Sequence, residues 1–259
     1  MLVESQDLVG RVVAVSGEWE PHVTSAFRIL LRPGDVCVDV GAHVGYYTLL
    51  ASKLVGVAGH VYAFEPAPAC LSALRGNLRR NDVTNVTVFD VPAAEADGSA
   101  VLLLAPGPTP VTSSLSTRLL ASPHGGEAAD FAPVPVQTAA VDSLLPPEAF
   151  ERVRLVKIDV EGYEVEALSG LERVFAADAP LAVIVELSPD WSTADPAAFV
   201  DDLCRTRGFV PWRLVNEYTR SGYFPPRLVA PARLEQIPSE RCDLLLARGG
   251  MPWGSETPA

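Results

Sequence analysis

The sequence predicts a three-layer α/β fold, a mostly parallel, Rossmann-like sheet covered by helices on both faces. Three observations carry that expectation. Near-continuous runs of Val, Ile and Leu recur at intervals of roughly 25 residues or more, helical segments fill several of the gaps, and a glycine turn follows the first strong strand. The chain has 259 residues, 48% hydrophobic and 20% charged, enough to bury one core of this kind.

The elements follow in order. RVVAVSGEW (11–19) reads as a short strand or hairpin arm, and HVTSAFRILL (22–31) as a helix stopped by Arg32-Pro33-Gly34, so residues 1–34 are expected to form an N-terminal strand/helix cap on a domain spanning 35–248. VCVDV (36–40), HVYAFE (60–65), VTVFDV (86–91), VRLVKIDV (153–160) and LAVIVEL (181–187) are the parallel strands. VGYYTLLASKL (44–54) and CLSALRGNLRR (70–80) space their apolar residues three and four apart, as crossover helices do. Residues 105–133, rich in Pro, Gly, Ser and Thr, interrupt the alternation between the short strand-like runs AVLLL and VPVQT; a loop of that length is read as a lid or substrate loop, against the alternative of a tolerated surface insertion. The tail 249–259 is expected to be disordered.

Composition excludes several functions. Twenty Lys and Arg against 32 Asp and Glu give a formal charge of −12, the wrong sign for a protein that grips phosphate backbones, so no nucleic-acid partner is expected. No uncharged apolar run reaches the roughly 20 residues that cross a bilayer, and MLVESQDLVG lacks a signal peptide's basic start and apolar core, so the chain reads as soluble and cytoplasmic, with no membrane partner. Cys37, Cys70, Cys204 and Cys242 show no C-x-x-C spacing and are expected as reduced thiols, while His22, His43, His60 and His124 never fall at metal-ligand spacing, so no metal is expected.

The informative stretch is Asp39-Val40-Gly41-Ala42-His43-Val44-Gly45-Tyr46, a buried strand running through a glycine turn into a helix. Such a turn lets the backbone approach a ligand, and the helix start offers N–H groups to an anion. Glu65 ends the next strand 24 residues after Gly41, where an α/β nucleotide site places the carboxylate that accepts ribose hydroxyls, with Pro66 beside it. A dinucleotide site wants G-x-G-x-x-G, whereas here His43 stands where the second glycine would admit a pyrophosphate. Asp39 would repel a pyrophosphate and suit a ligand carrying an ammonium and a sulfonium. S-adenosylmethionine is such a ligand: its ribose is expected on Glu65, its amino group near Asp39, and its carboxylate at the N–H groups of Ala42 to Gly45, with Tyr46 and Asp159 close by. The plain alternative is a βαβ unit whose glycines only turn the chain.

Four blocks, VDVGAHVGYYTLLAS, FEPAP, LVKIDVEGYEVEALSG and VIVELSP, resemble the FkbM-type family of class I S-adenosylmethionine-dependent methyltransferases and occur in that family's order. The likeness spans roughly residues 17 to 247, and KIDVEGYE and VELSP are its specific part. Ser113-Ser114-Leu115 and TAAVDSL (138–144) also resemble the family's signature. Position 43 is His where the family most often has Asn, and Val141 stands where Leu is usual. The resemblance implies a class I sheet of seven strands with the last one antiparallel, here Cys242 to Ala247, and methyl transfer to hydroxyls of sugars or polyketide-type natural products.

Methyl transfer to an alcohol requires alignment and removal of the hydroxyl proton. Asp159 and Glu186 end neighbouring strands at the mouth of the sheet and Glu161 follows two residues after Asp159, so these three are the candidate catalytic carboxylates, ordered Asp159, Glu161, Glu186, with Lys157 as an electrostatic partner. A strand end with helix N-capping explains KIDVEGYE without catalysis. Trp19, Glu20 and His22, preceding the first core strand, and Ser113 and Ser114 in the long loop are the candidate acceptor-side residues; Trp191, Trp212, Tyr218, Tyr223 and Phe224 divide between acceptor wall and core. The expected partner is a small-molecule acceptor, with a homodimer as the one assembly entertained. Three alternatives stand: N- or carboxyl-directed transfer, an NAD-binding oxidoreductase, and a catalytically inactive binding protein.

Overall fold

A computed structural model describes residues 8–106, 113–115, 131–192, 194–215 and 230–249. The beginning of the expected cap, most of the 105–133 loop, Tyr218, Tyr223, Phe224 and the tail from residue 250 lie outside these residues. In chain order the elements are α1 (Leu8–Ser16), α2 (Pro21–Leu30), β1 (Val36–Val40), α3 (Tyr46–Val55), β2 (His60–Phe64), α4 (Pro68–Arg80), β3 (Val86–Phe89), β4 (Gly98–Leu104), β5 (Ala132–Thr138), α5 (Val141–Leu144), a 3-10 turn (Pro147–Arg152), β6 (Val153–Ile158), α6 (Glu164–Ser169), α7 (Glu172–Ala176), β7 (Leu181–Leu187), α8 (Pro196–Arg207), β8 (Val210–Leu214), β9 (Ala232–Arg233) and β10 (Cys242–Arg248).

The main sheet runs β3-β2-β1-β6-β7-β10-β8-β9, with β10 antiparallel to both of its neighbours. The expected seven strands with a reversed last one are present; β9, two residues long and antiparallel to β8, adds an eighth at the edge. Side-chain alternation divides the core. Val36, Val38 and Val40 of β1 face one layer with Val156, Ile158, Val183 and Val185, covered by α5 to α8, whereas Cys37, Val61, Leu155 and Ile184 face the other with Phe27 of α2 and Ala51 of α3. The doubly wound order places its reversal between β1 and β6, and the crevice outside those strand ends is where open α/β sheets take ligands.

Residues 11–19 are not a strand. Val9, Val12, Val13 and Ser16 form the less exposed side of α1, a helical three-and-four spacing that the β-branched composition obscured. The helix at α2 is as expected, and it forms part of the layer that covers the sheet. The runs flanking the long loop pair as a separate antiparallel ribbon, β4 with β5, from Gly98↔Thr138 to Leu104↔Ala132. All four cysteines are free thiols. No helix among the described residues is long and apolar enough to cross a membrane.

Candidate active site

At the sheet reversal, β1 and β6 end in direct contact. A Cβ at Gly41 would lie 1.9 Å from the carbonyl oxygen of Asp159, and its φ of +79° is left-handed, so glycine is required there on two counts. His43 is also left-handed, with φ +51°. Asn and His tolerate that region better than most side chains, which accounts for either residue standing at this position. The turn wraps around Glu65: the His43 N–H donates to its Oε2 and the Ala67 N–H to its Oε1, each at 2.8 Å. Burial pushes the Glu65 carboxyl up to about 7, against the pull of those two amides.

Glu65 opens onto a cavity of about 510 Å³. Its wall brings together most residues expected from sequence: Gly41, Ala42, His43, Tyr46, Glu65, Pro66 and Asp159 on the cofactor side, and Trp19, Glu20, Ser113, Ser114, Glu161 and Glu186 beyond them. Three expected residues are elsewhere. Asp39 does not line the cavity; it is fully buried on β1, where its Oδ2 accepts the Thr48 hydroxyl at 2.6 Å. Gly45 is not on the wall, and serves instead to let α3 approach α4, since a Cβ there would meet Leu74 Cδ1 at 2.5 Å. His22 is buried within α2 and off the wall.

Of the N–H groups expected to cradle a carboxylate, three are engaged within the protein. The Gly41 and Ala42 N–H groups both donate to the Phe64 carbonyl, that of His43 goes to Glu65, and that of Gly45 to the Ala42 carbonyl. Val44, between them, lines the cavity.

On the far side lie three carboxylates, each with one oxygen within 4.8 Å of the others: Asp159, Glu161 and Glu186. Two cations hold them. Lys157, buried on β6 opposite Asp39 of β1, places Nζ 3.1 Å from Asp159 Oδ2 and 5.2 Å from the Tyr47 ring centroid. Arg241 donates from Nε to Glu186 at 2.8 Å and from a terminal nitrogen to Glu161 at 3.3 Å, with its guanidinium 4.7 Å from the Trp191 ring centroid. Burial raises all three carboxyls, yet Lys157 and the hydrogen bonds from Lys157 and Glu186 leave Asp159 below its ordinary value. Burial and the Asp159 charge push Glu161 to about 8 and Glu186 to about 10. Lys157 thus favours the charge on Asp159, while burial and that charge favour the protonated forms of Glu161 and Glu186.

The loop carrying these acids is rigidly built. Gly162 packs so closely on Trp191 that a Cβ would lie 2.7 Å from its carbonyl oxygen, and the Gly162 N–H donates to Glu164 Oε1 at 2.7 Å. Glu164 is fully buried and also accepts the Ser192 hydroxyl at 3.1 Å, so it braces the loops after β6 and β7 and lies outside the wall. From the N-terminal segment, Glu20 accepts the Tyr47 hydroxyl at 2.7 Å and Thr24 shares a hydrogen bond with Tyr46 at 3.1 Å, which ties the segment to the first crossover helix.

Arg241 is a charged residue of the cavity wall that sequence reasoning missed. The signal was present. A reversed strand beginning at Cys242 starts where its parallel neighbour ends, so residue 241 must lie at the mouth of the sheet.

The residues present fit the adenosyl part of the expected ligand. Glu65 can accept vicinal hydroxyls on the cavity wall, and the turn at Gly41 leaves room for close approach.

Residues 39–211 match the family model described as the Methyltransferase FkbM domain. The chain is 29% identical over 155 residues to Methyltransferase sdnD of Sordaria araneosa, covering 52% of this chain and 60% of that protein. It is 32% identical over 162 residues to the 31-O-demethyl-FK506 methyltransferase FkbM of Streptomyces tacrolimicus, covering 55% of this chain and 61% of that one. It is 26% identical over 189 residues to the hexuronic acid methyltransferase AglP of Haloferax volcanii, covering 71% and 68%. The first two of these relatives are matched over less than two-thirds of their length.

Proposed function

The chain belongs to the FkbM family of methyltransferases, and on that premise we propose that it is an S-adenosylmethionine-dependent O-methyltransferase acting on a hydroxyl of a small molecule of the sugar or polyketide type. The observation that carries the reading is the acid cluster at the cavity wall, in which Asp159, Glu161 and Glu186 bring oxygens within 4.8 Å of one another and Lys157 and Arg241 bind them from two sides. A general base works best when its pKa lies near the working pH, and Glu161 meets that condition. Asp159, held charged by Lys157, is a weaker base and a better electrostatic partner for developing positive charge. The base order therefore shifts from the sequence-based one, with Glu161 ahead of Asp159. Two of the relatives support the acceptor class by their names, one for 31-O-demethyl-FK506 and one for a hexuronic acid.

When bound, the cofactor supplies a methyl group activated by its sulfonium. The chain's residues do the rest. Glu65 holds the ribose, and the turn at Gly41 and Ala42 fixes the depth of binding. Glu161 takes the acceptor's hydroxyl proton as the oxygen gains the methyl. Glu186, in the protonated form that burial favours and held by Arg241, is placed to donate a hydrogen bond within the cluster, and Trp19, Leu102 and Leu115 supply apolar wall that excludes water.

The test is calorimetric binding of S-adenosylhomocysteine, with NAD as control, followed by release of S-adenosylhomocysteine from S-adenosylmethionine over a panel of methyl glycosides and hydroxylated macrolides. Micromolar binding of the first ligand only, with turnover on a hydroxyl acceptor that Glu161→Gln lowers at least 100-fold, is the expected result. Tight NAD binding alone sinks the reading, and cofactor binding with no acceptor in any class points to an inactive binding protein. An amine acceptor is the second reading, favoured by the excess of wall carboxylates over the two paired cations; under it Glu161→Gln leaves turnover within tenfold.

A further inference from the structure

We propose that Ser114, in the insertion between β4 and β5, is a positioning residue that sets the place of the Glu161 carboxylate by holding the Glu161 main chain. The proposal rests on the reading of Glu161 as the proton acceptor. The geometry is specific. Ser114 is 1% exposed, and its hydroxyl donates to the Glu161 carbonyl at 2.5 Å across 47 residues of sequence. Its own backbone is fixed: the Leu103 N–H donates to the Ser114 carbonyl at 2.8 Å, and the Ser114 N–H donates to the Leu103 carbonyl at 3.1 Å. Next to it, the Ser113 hydroxyl accepts the Ala105 N–H at 3.2 Å. The hydroxyl is therefore presented from a rung on the edge of β4.

What it holds is under strain. Glu161 is left-handed, with φ +51°, a conformation that a residue other than glycine keeps only where its surroundings enforce it. Gly162 is pinned on Trp191 and by Glu164, but neither of those contacts reaches Glu161 itself. Among the described residues, the hydrogen bond of the Glu161 side chain is the long 3.3 Å contact with Arg241. The Ser114 bond thus fixes the main chain of the strained residue. Trp191 also packs with Leu103 and Phe131, the residues that flank the insertion, and so ties the end of β4 to the acid loop through Gly162. The charged groups around Glu161 are Lys157 on β6 and Asp159 just after it, Glu186 on β7, Glu164 on α6 and Arg241 before β10.

The test compares wild type, Ser114→Ala and Ser114→Thr, each labelled with carboxyl-13C glutamate and titrated by NMR, with Glu161→Gln to assign the resonance and S-adenosylhomocysteine calorimetry alongside. Wild type is expected to titrate at Glu161 near 8. In Ser114→Ala the loop relaxes, the carboxylate gains solvent and moves away from Asp159, and the midpoint falls by at least one unit toward the ordinary value of about 4.3. Ser114→Thr keeps the hydroxyl and restores the wild-type midpoint, while affinity for S-adenosylhomocysteine stays within twofold in all three. An unchanged midpoint in Ser114→Ala overturns the proposal. So does loss of cofactor binding together with the cooperative melt in that variant, which would make Ser114 a brace for the whole domain. Failure of the wild type to bind S-adenosylhomocysteine instead overturns the methyltransferase reading, and the titration comparison still decides the role of Ser114.

Discussion

Glu65 makes cofactor affinity depend on pH in a direction and by an amount that the structure sets. Its carboxyl is pushed to about 7 by burial, and both of its oxygens already accept a backbone N–H, from His43 and Ala67. Two ribose hydroxyls would add donors that favour the charged form, so binding requires ionised Glu65 and releases a proton. With a midpoint near 7, roughly one-tenth of the protein is ready at pH 6 and about nine-tenths at pH 8, a tenfold difference worth about 1.4 kcal/mol. The right ligand is S-adenosylhomocysteine, whose neutral sulfur does not report on Asp159, Glu161 and Glu186. Calorimetry at pH 6 and pH 8, in two buffers of different ionisation enthalpy, measures affinity and proton release together. Glu65→Gln should bind about 1.5–3 kcal/mol more weakly and lose the pH dependence. A wild-type affinity that is flat between pH 6 and 8 would refute the titration argument, and unchanged affinity in Glu65→Gln would take Glu65 off the ribose. Stability carries the opposite sign. Glu65 folds with a raised pKa, so its contribution is full below the ordinary value of 4.5 and is lost as pH rises through 7; the apo protein should melt lower at pH 8 than at pH 5, and bound S-adenosylhomocysteine should recover part of the loss.

The remaining expectations concern the frame of the site. Gly41→Ala forces a methyl to 1.9 Å from the Asp159 carbonyl in a left-handed conformation, and should destabilise by more than about 4 kcal/mol in urea unfolding; a loss below about 1 kcal/mol would mean that β1 and β6 separate freely. Lys157→Met leaves Asp159 and the buried Asp39 without their cation, with an expected loss of about 3–5 kcal/mol at pH 8 and less at pH 5, where the acids can protonate; equal losses at both pH values would remove the electrostatic cause. Glu164→Ala strands the Gly162 N–H and the Ser192 hydroxyl, and should lower stability by about 1–3 kcal/mol, read by thermal melting; no shift would show that water replaces the carboxylate.

The sheet was legible wherever strands are buried on both faces. β1 and β7 end where their apolar runs end, and the reversed last strand followed from the family likeness. α1 was misread because valines favour strands and its spacing covers barely two turns. β8 went unseen because Pro211 stands inside a five-residue run, which demotes a strand on sequence grounds; the structure tolerates it because Pro211 lies outside the two residues, Trp212 and Arg213, that pair with β9. Among residues of the cavity wall, Glu65, Asp159 and Glu186 were readable as strand ends and Glu161 by its spacing from Asp159, properties of local pattern. Asp39, Gly45 and His22 went wrong because sequence gives the side of a strand or helix but not the depth behind it. Arg241 and the Ser114 contact join segments 80 and 47 residues from Glu161, and only the completed sheet decides which of many distant polar residues arrive there.

The position of β10 has a consequence during synthesis. It is made after β7 and β8 but lies between them. From the moment Leu187 leaves the ribosome until Cys242 follows, 55 residues of translation separate β7 from its partner, about 3–11 s at about 5–20 residues per second. Through that interval β7 exposes an apolar edge with unpaired amides, the arrangement that invites pairing with a second nascent chain. Yield should therefore respond to anything that shortens the wait, such as faster codons between 188 and 242, even though the folded protein would be identical.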